Sequence, residues 1–202
     1  MSLVNYSSRE ITCKIVYYGP GRSGKTTNLQ YIHERIVAER KGALMSLATE
    51  TDRTLFFDFL PVDLGTISGF RIRFQLYTVP GQVYYDATRR LVLQGADGVV
   101  FVADSQTARS DENLESFRNL QINLLDHGVD PRSFPVCLQY NKRDLPHPLP
   151  VEELNAMLNF RDLPCYEAAA VSGAGVLETL RGISERTLQR LARQFDSPGK
   201  EQ

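Results

Sequence analysis

The chain has 202 residues, which is enough for one well-buried core and too few for two comfortable domains. Its formal net charge of −1 and its pI near 6.3 provide no long-range attraction to a polyanion, so the composition argues against nucleic acid as a partner. We therefore expect a single domain over residues 1–195, followed by a polar, disordered tail over residues 196–202.

Cysteine usage and the two ends of the chain indicate an intracellular protein. Cys13, Cys137 and Cys165 lie in apolar or strand-like surroundings and lack the spacing of a metal site, as expected for buried, reduced thiols. The N-terminus has no signal-peptide pattern, Ser2 excludes N-myristoylation, and the C-terminus carries no prenylation cysteine. We expect a cytoplasmic protein with no lipid anchor.

Apolar runs of strand length alternate with segments of helical period along the chain. The predicted strands are 11–18, 55–60, 70–78, 98–103, 136–140 and 165–169. Helices are predicted from Lys25 toward a stop at Gly42, around 114–124, after Pro150, and from 176 toward the C-terminus. The connection between the second and third strands is too short for a crossover helix, so these two should form an antiparallel hairpin. This order predicts an α/β fold: a mixed, mostly parallel sheet of about six strands, with one antiparallel edge strand and helices on both faces.

The turn after the first strand reads GPGRSGKT over residues 19–26, which fits G-x-x-x-x-G-K-[ST]. Backbone N–H groups of such a loop face phosphate oxygens, and the positive end of the helix dipole lies behind them. Lys25 would bridge the terminal phosphates, and the Thr26 hydroxyl would coordinate Mg²⁺. The alternative is a glycine-rich turn without a ligand. The predicted phosphate-binding residues are Gly19, Gly21, Arg22, Ser23, Gly24, Lys25, Thr26 and Thr27.

A second motif, Asn141-Lys142-Arg143-Asp144, follows the strand 136–140. The Asp144 carboxylate can accept hydrogen bonds from N1–H and the exocyclic amine of guanine, a donor pair that adenine lacks. Asn141 would tie this base loop to the phosphate loop, and the stem of Lys142 would lie along one face of the ring. Alone, the tetrad could be an ordinary polar turn. Behind a phosphate loop, it favours GTP over ATP.

With these two motifs in this order, the whole domain resembles a small Ras-like GTPase. More narrowly, the segments KIVYYGPG (14–21), TDRTLFFDFLP (51–61) and LYTVPGQ (76–82) are similar to the bacterial MglA group of polarity and gliding-motility GTPases. The resemblance implies the P-loop NTPase fold of small G proteins, slow hydrolysis of GTP to GDP with Mg²⁺, and a nucleotide-dependent switch. It also implies an MglB-like roadblock-domain activating protein, polarity or motility effectors, and recruitment to a cell pole by such partners.

The same resemblance suggests the residues of the reaction. Gln82 occupies the position at which Ras-like enzymes orient the attacking water, and the Gly81 N–H can meet the γ-phosphate. The alternative is a plain turn with a solvated glutamine. The polar segment 46–54 is expected to form a first switch loop. There the resemblance points to Thr54 as a metal ligand, with Thr49 and Thr51 as rivals, and to Arg53 as an arginine finger carried in cis rather than a surface side chain.

The sequence departs from the general Ras-like pattern at two places. At position 78, most Ras-like relatives have an aspartate that holds Mg²⁺ through water, whereas this chain has Thr78. MglA proteins share this replacement. Asp58 and Asp104 are the candidates to replace that acid, and we favour a structural role for Asp104. Residues 167–171 replace the Ser-Ala-Lys that relatives use for the base, although the Ala170 N–H can still meet the guanine carbonyl.

Two other classes of function compete with the GTPase hypothesis. A scaffold that binds GTP and hardly hydrolyses it is disfavoured by Arg53 and Gln82 together. A P-loop ATPase or kinase is disfavoured by the base motif. Arg89 and Arg90 suggest a kinase lid or basic patch, but two adjacent arginines after Asp86 more simply predict an exposed helix face.

Overall fold

One mixed sheet forms the centre of the protein. The computed structural model describes residues 3–49, 52–67, 69–82 and 85–196. The strands in these ranges are β1 (Leu3–Asn5), β2 (Glu10–Tyr18), β3 (Met45–Thr49), β4 (Asp52–Ile67), β5 (Phe70–Thr78), β6 (Gly98–Asp104), β7 (Val136–Asn141) and β8 (Cys165–Glu167). They are ordered β3-β4-β5-β2-β6-β7-β8, and β1 pairs with the start of β2.

Five neighbouring strands form a parallel series. Strand β2 pairs in parallel with β5 on one side and β6 on the other, and β7 and β8 continue the parallel series. Strands β3 and β4 add an antiparallel hairpin beyond β5. The carboxyl ends of β2, β5, β6, β7 and β8 consequently meet at one edge of the sheet, where ligands of such folds bind.

Helices cover both faces of the sheet. They are α1 (Lys25–Arg35), α2 (Asp86–Leu93), α3 (Ser110–Asp126), α4 (Val151–Leu158) and α5 (Val176–Asp196). Buried side chains such as Phe117 and Leu154 pack α2, α3 and α4 on one face. Leu29 and Ile183 belong to the cluster that packs α1 and α5 on the other. The predicted fold class is confirmed. Within the described ranges, no helix combines the length and apolar character needed to cross a membrane.

The sheet is larger than predicted and has a different edge. It contains eight strands in the described residues rather than about six, because β1 and β3 were not anticipated. The predicted hairpin of the second and third strands is present as β4 and β5, but β3 pairs outside β4 and forms the edge of the sheet on that side. An edge strand pairs with one neighbour only and is partly open to solvent, so it can be polar. Such a strand leaves no apolar run in the sequence by which it could be predicted.

The predicted switch loop over residues 46–54 is wrong as a description of its backbone. Its first part is strand β3, which pairs with β4 through Met45 opposite Phe59 and Ser46 opposite Asp58. Its last part is the start of β4. The polar composition of the segment suggested a loop, but the long apolar run of β4 provides a template for backbone pairing. The rival threonine Thr51 lies outside the described residues.

Helix α1 begins at Lys25 as predicted and ends earlier, at Arg35. Ile36 has extended backbone angles, φ −75° and ψ 133°, and Val37 is exposed. Beta-branched residues in succession favour extended backbone, and no stop signal such as Gly42 is needed to end the helix.

Two burial predictions require correction. Cys13 and Cys137 are buried, and burial raises the pKa of each thiol to about 12, but Cys165 is exposed at the edge strand β8. Arg89 and Arg90 do lie on a helix, α2, yet only Arg90 is on its exposed face. Arg89 is 2% exposed and is among the largest fully buried side chains. Two adjacent residues on a helix point about 100° apart, so a doublet cannot define one face.

Candidate functional site

The predicted functional segments converge at the carboxyl edge of the parallel strands. The phosphate loop follows β2, the Pro80–Gly81 turn follows β5, Asp104 ends β6, and Asn141 ends β7. The Ala168–Ala170 segment follows β8. Each of these strands is paired within the sheet, so the positions of their termini are set by the register of the sheet rather than by the loops themselves.

Asn141 links the phosphate loop to the base loop. Its side-chain amide donates to the Ser23 carbonyl at 2.7 Å and accepts from the Ala170 backbone N–H at 2.9 Å. Gly24 is in the left-handed region, with φ +100°, and a Cβ there would lie 2.2 Å from Asn141 Nδ2. Only glycine therefore permits this close approach. The link is the contact expected for Asn141 from the sequence.

Lys25 lies folded over its own loop. Its Nζ donates to the carbonyls of Gly19 at 2.9 Å and Pro20 at 2.6 Å, and the side chain is only 7% exposed. Burial, with a further contribution from the Arg89 guanidinium and partial opposition from Asp58, lowers the pKa of Lys25 to about 7. The Lys25 Nζ is thus held by two neutral backbone carbonyls in a buried setting, and phosphate oxygens are acceptors that could replace these carbonyls.

Asp58, on β4, lies beside the phosphate loop. Its Oδ2 accepts hydrogen bonds from Thr26 Oγ1 at 2.6 Å and from Thr78 Oγ1 at 2.9 Å, and its Oδ1 accepts one from the Ser46 hydroxyl. The Thr78 hydroxyl also accepts from the Asp58 backbone N–H at 2.8 Å. Asp58 is 1% exposed, and it forms no salt bridge with any side chain that the structure describes. A buried carboxylate surrounded by hydroxyl oxygens suits a hard divalent cation such as Mg²⁺.

Asp104, on the other side of the site, is bonded to Lys142 and Gln106. It is 1% exposed, and its Oδ2 pairs with Lys142 Nζ at 2.5 Å. Gln106 also donates to this carboxylate, from its backbone and from its side chain. The Asn113 side chain bonds both the N–H and the carbonyl of Asp104. Of the two candidate replacements for the acid missing at Thr78, the structure thus brings only Asp58 to Thr26.

The base loop has the backbone strain that often marks a functional site. Lys142 is in the left-handed region with φ +68°, an uncommon conformation for a lysine. Asp144 is exposed, in contrast to the buried Asn141. The Ala170 N–H, which the sequence suggested for the guanine carbonyl, donates here to Asn141, so a contact with a base stays a prediction.

The Pro80–Gly81–Gln82 segment lies directly against the phosphate loop. A Cβ on Gly81 would lie 2.3 Å from the Gly21 Cα, so the two glycines are in backbone contact. Gln82 is exposed. Arg89 reaches back from α2 and donates to the carbonyls of Pro80 at 3.0 Å and Gly81 at 2.7 Å.

The remaining predicted residues are placed only in part. Arg22 lies on the phosphate loop, where it is exposed and in the left-handed region at φ +61°. Thr27 lies on the first turn of α1. Arg53 and Thr54 belong to β4 and Thr49 to β3, but the side chains of these three are outside the described part of the structure. Their roles stay predictions.

Sequence reasoning missed contacts that span the sheet. Arg89 was interpreted as a surface residue, and Ser46 was assigned to a loop. A reciprocal amide pair behind the phosphate loop was not anticipated: Asn28 donates to Gln139 at 2.8 Å, and Gln139 donates back at 2.9 Å. Gln139 in the otherwise apolar strand β7 was the available signal, because a polar side chain in a buried strand needs a partner.

Comparison with known proteins identifies close and distant relatives. The chain is 61% identical over 191 residues to the mutual gliding-motility protein MglA of Myxococcus xanthus, covering 95% of this chain and 98% of that protein. It is 24% identical over 202 residues to the Ypt/Rab-type GTPase Rab7 of Gibberella zeae, covering 95% and 92%. It is 28% identical over 182 residues to the human ADP-ribosylation factor-like protein 4D, covering 87% and 83%. No protein-family model matches the chain.

Proposed function

The chain belongs to the MglA family of small Ras-like GTPases and is itself a GTPase, and we propose that it acts as a nucleotide-dependent switch in bacterial gliding motility or cell polarity. The observation that carries the nucleotide site is the Asn141 amide, which joins the phosphate loop to the base loop. An ATPase or kinase needs no such joint between a phosphate loop and an Asn-Lys-x-Asp motif. The polyphosphate and the purine of one nucleotide would therefore be bound by two loops that Asn141 holds together.

The phosphate and base contacts divide between the two loops. Backbone N–H groups of Gly21 to Thr27 would bind the phosphates at the positive end of α1, and Lys25 would exchange its two carbonyl partners for phosphate oxygens. Asp144 would accept from the guanine N1–H and amine. Lys142, oriented by Asp104, would lay its methylene stem along the ring.

The oxygen ligands beside the phosphate loop fit Mg²⁺. Thr26, Asp58 and Thr54 would hold it, with Asp58 supplying the negative charge that Thr78 lacks and Thr78 orienting Asp58 by hydrogen bonding. When bound, the metal neutralises charge on the phosphate oxygens. The buried carboxylate at 58 otherwise has only neutral donors among the described side chains, an arrangement that a cation would stabilise.

Gln82 and Arg53 would promote hydrolysis of GTP to GDP and phosphate. Gln82 would orient a water in line with the γ-phosphate, and the Gly81 N–H would donate to a γ-oxygen. Arg53 would place positive charge where the transition state collects negative charge. Gln82 is exposed, so its alignment depends on ordering of its segment, and we expect slow turnover until a partner provides it.

Membership of the MglA family is the basis for the proposed partners. We propose an MglB-like roadblock-domain protein that accelerates hydrolysis, and effectors of gliding motility or polarity that read the nucleotide state. These partners would recruit an otherwise cytoplasmic protein to a cell pole. The support is the 61% identity to MglA over nearly the full length of both chains.

The first test is analysis of the nucleotide carried by the purified protein. Extraction followed by mass spectrometry is expected to yield GDP or GTP, and a single-turnover assay with Mg²⁺ is expected to yield GDP and phosphate. Adenine nucleotide in the extract would favour the ATPase or kinase class. GTP that is bound but stable over many hours, also with an activating partner, would favour the scaffold.

A further inference from the structure

The structure assigns to Arg89 a role in positioning the catalytic glutamine, and we propose that it does so by fixing the backbone of Pro80 and Gly81. This inference rests on the proposed role of Gln82. The segment from Pro80 to Gln82 belongs to no strand or helix, so its conformation depends on contacts with neighbouring groups. Arg89 Nε and Nη2 donate to its two consecutive carbonyls.

The other end of the same guanidinium is anchored to α3. Arg89 Nη1 donates to Asn119 Oδ1 at 2.9 Å, and the cation lies 5.7 Å from the centroid of the Tyr18 ring. One planar group therefore contacts three elements: the segment before Gln82, helix α3 and strand β2. The rigid fork of arginine can serve three acceptors in fixed directions, which the single ammonium of lysine cannot do.

The anchor is itself held in place by a partly buried polar network. Asn119 Oδ1 also accepts from the Tyr18 hydroxyl, and Asn119 Nδ2 donates to Asp86 Oδ1 at 2.7 Å. Asn123 donates to Tyr18 and to Asp86, each at 3.1 Å. Because Asp86 begins α2 and Asn119 and Asn123 lie on α3, the network locks the two helices that carry and anchor Arg89.

A packing role alone does not account for this arrangement. Burying a guanidinium is costly, and an apolar side chain of similar size would fill the same volume without that cost. Arg89 forms no salt bridge with a carboxylate among the described residues, and three of its bonds go to neutral oxygens. Two of those oxygens belong to the residues immediately before Gln82. The specific contribution of the arginine is therefore to fix the backbone conformation of Pro80 and Gly81.

The test is a double-mutant cycle in single-turnover GTP hydrolysis by the full chain. Arg89→Gln is expected to slow hydrolysis by roughly 10- to 100-fold, the scale of an ångström-level misplacement, and to change GDP dissociation by less than about 3-fold. Arg89→Lys should recover part of the rate. Arg90→Gln, on the same helix but at exposed ion pairs with Asp86 and Asp126, is the matched control and should stay within about 2-fold.

Non-additivity separates positioning from a structural role. If Arg89 acts through Gln82, then Gln82→Leu combined with Arg89→Gln hydrolyses no more slowly than Gln82→Leu alone. Multiplicative losses, or a normal rate for Arg89→Gln, would overturn the proposal. A normal rate for Gln82→Leu alone would instead remove the proposed role of the glutamine.

A second measurement covers variants that fold poorly or hydrolyse too slowly to measure. Asn119→Ala keeps Arg89 and removes its anchor. Amide hydrogen exchange in this variant and in Arg89→Gln is expected to accelerate in the peptide that contains Gly81 and Gln82, with little change in β6 or β7. Exchange that is unchanged in that peptide, or faster throughout the protein, would contradict the proposal.

Discussion

The two halves of the site are built in different ways. The half that would bind base and phosphates is made of short motifs whose members contact each other, as in the close approach of Gly24 to Asn141. The half that would hold the metal and the water is assembled from β4, β5, α2 and α3, and Asp58 and Arg89 belong to no short sequence motif. The first half thus rests on contacts between the motifs themselves, whereas the second rests on side chains that lie outside the motifs.

Within the hydrolysis half, the largest effect on Mg²⁺ binding should follow from removing its buried carboxylate. Asp58→Asn keeps the size of the side chain and removes its charge, so the Mg²⁺ concentration needed to slow GDP release should rise by about 10- to 100-fold. Hydrolysis should fall with it. The measurement is GDP dissociation across a Mg²⁺ titration.

Asp104→Asn is the matched control for that experiment, since both aspartates are 1% exposed and border the site. It should leave the Mg²⁺ midpoint unchanged. An equal shift of the midpoint in both variants would show that the assignment of the metal ligand to Asp58 is wrong.

Asp104→Asn should have a smaller effect of its own, confined to the base half. Lys142 would lose its ion pair and with it the orientation of its stem, and GDP should dissociate about 3- to 10-fold faster at saturating Mg²⁺. Stopped-flow displacement of a fluorescent GDP analogue measures this rate. Unchanged dissociation would reduce Asp104 to the structural role that the sequence favoured.

The nucleotide-binding half of the site could be predicted from the sequence, whereas much of the hydrolysis half could not. The phosphate loop and base loop were recognisable because each is contiguous and each follows an apolar strand, so the sheet order alone brings Gly24 and Asn141 together. Strand β3 was missed because an edge strand needs no apolar run. The burial of Arg89 was missed because it depends on hydrogen bonds to the Pro80 and Gly81 carbonyls and to the Asn119 side chain. The spacing of apolar residues along the sequence gives no sign of such bonds.

Asp58 marks the limit of pattern reading. The absence of an aspartate at Thr78 indicated that another acid was needed, and two candidates remained. The pairing of β4 with β5 places Asp58, and not Asp104, beside Thr78 and 2.6 Å from Thr26 Oγ1, which supports Asp58 as the metal ligand that we propose. Strand register of this kind depends on long-range packing and cannot be read from local composition.

The measurement that tests the central claim most directly is the nucleotide preference of Asp144→Asn. Xanthine has a carbonyl where guanine has its amine, so an asparagine amide can donate to it where an aspartate could only accept. Binding of GDP should weaken by about 100-fold or more, and binding of xanthosine diphosphate should strengthen correspondingly, with Mg²⁺ dependence unchanged. Undiminished affinity of the variant for GDP would contradict the claim that this loop reads a guanine base.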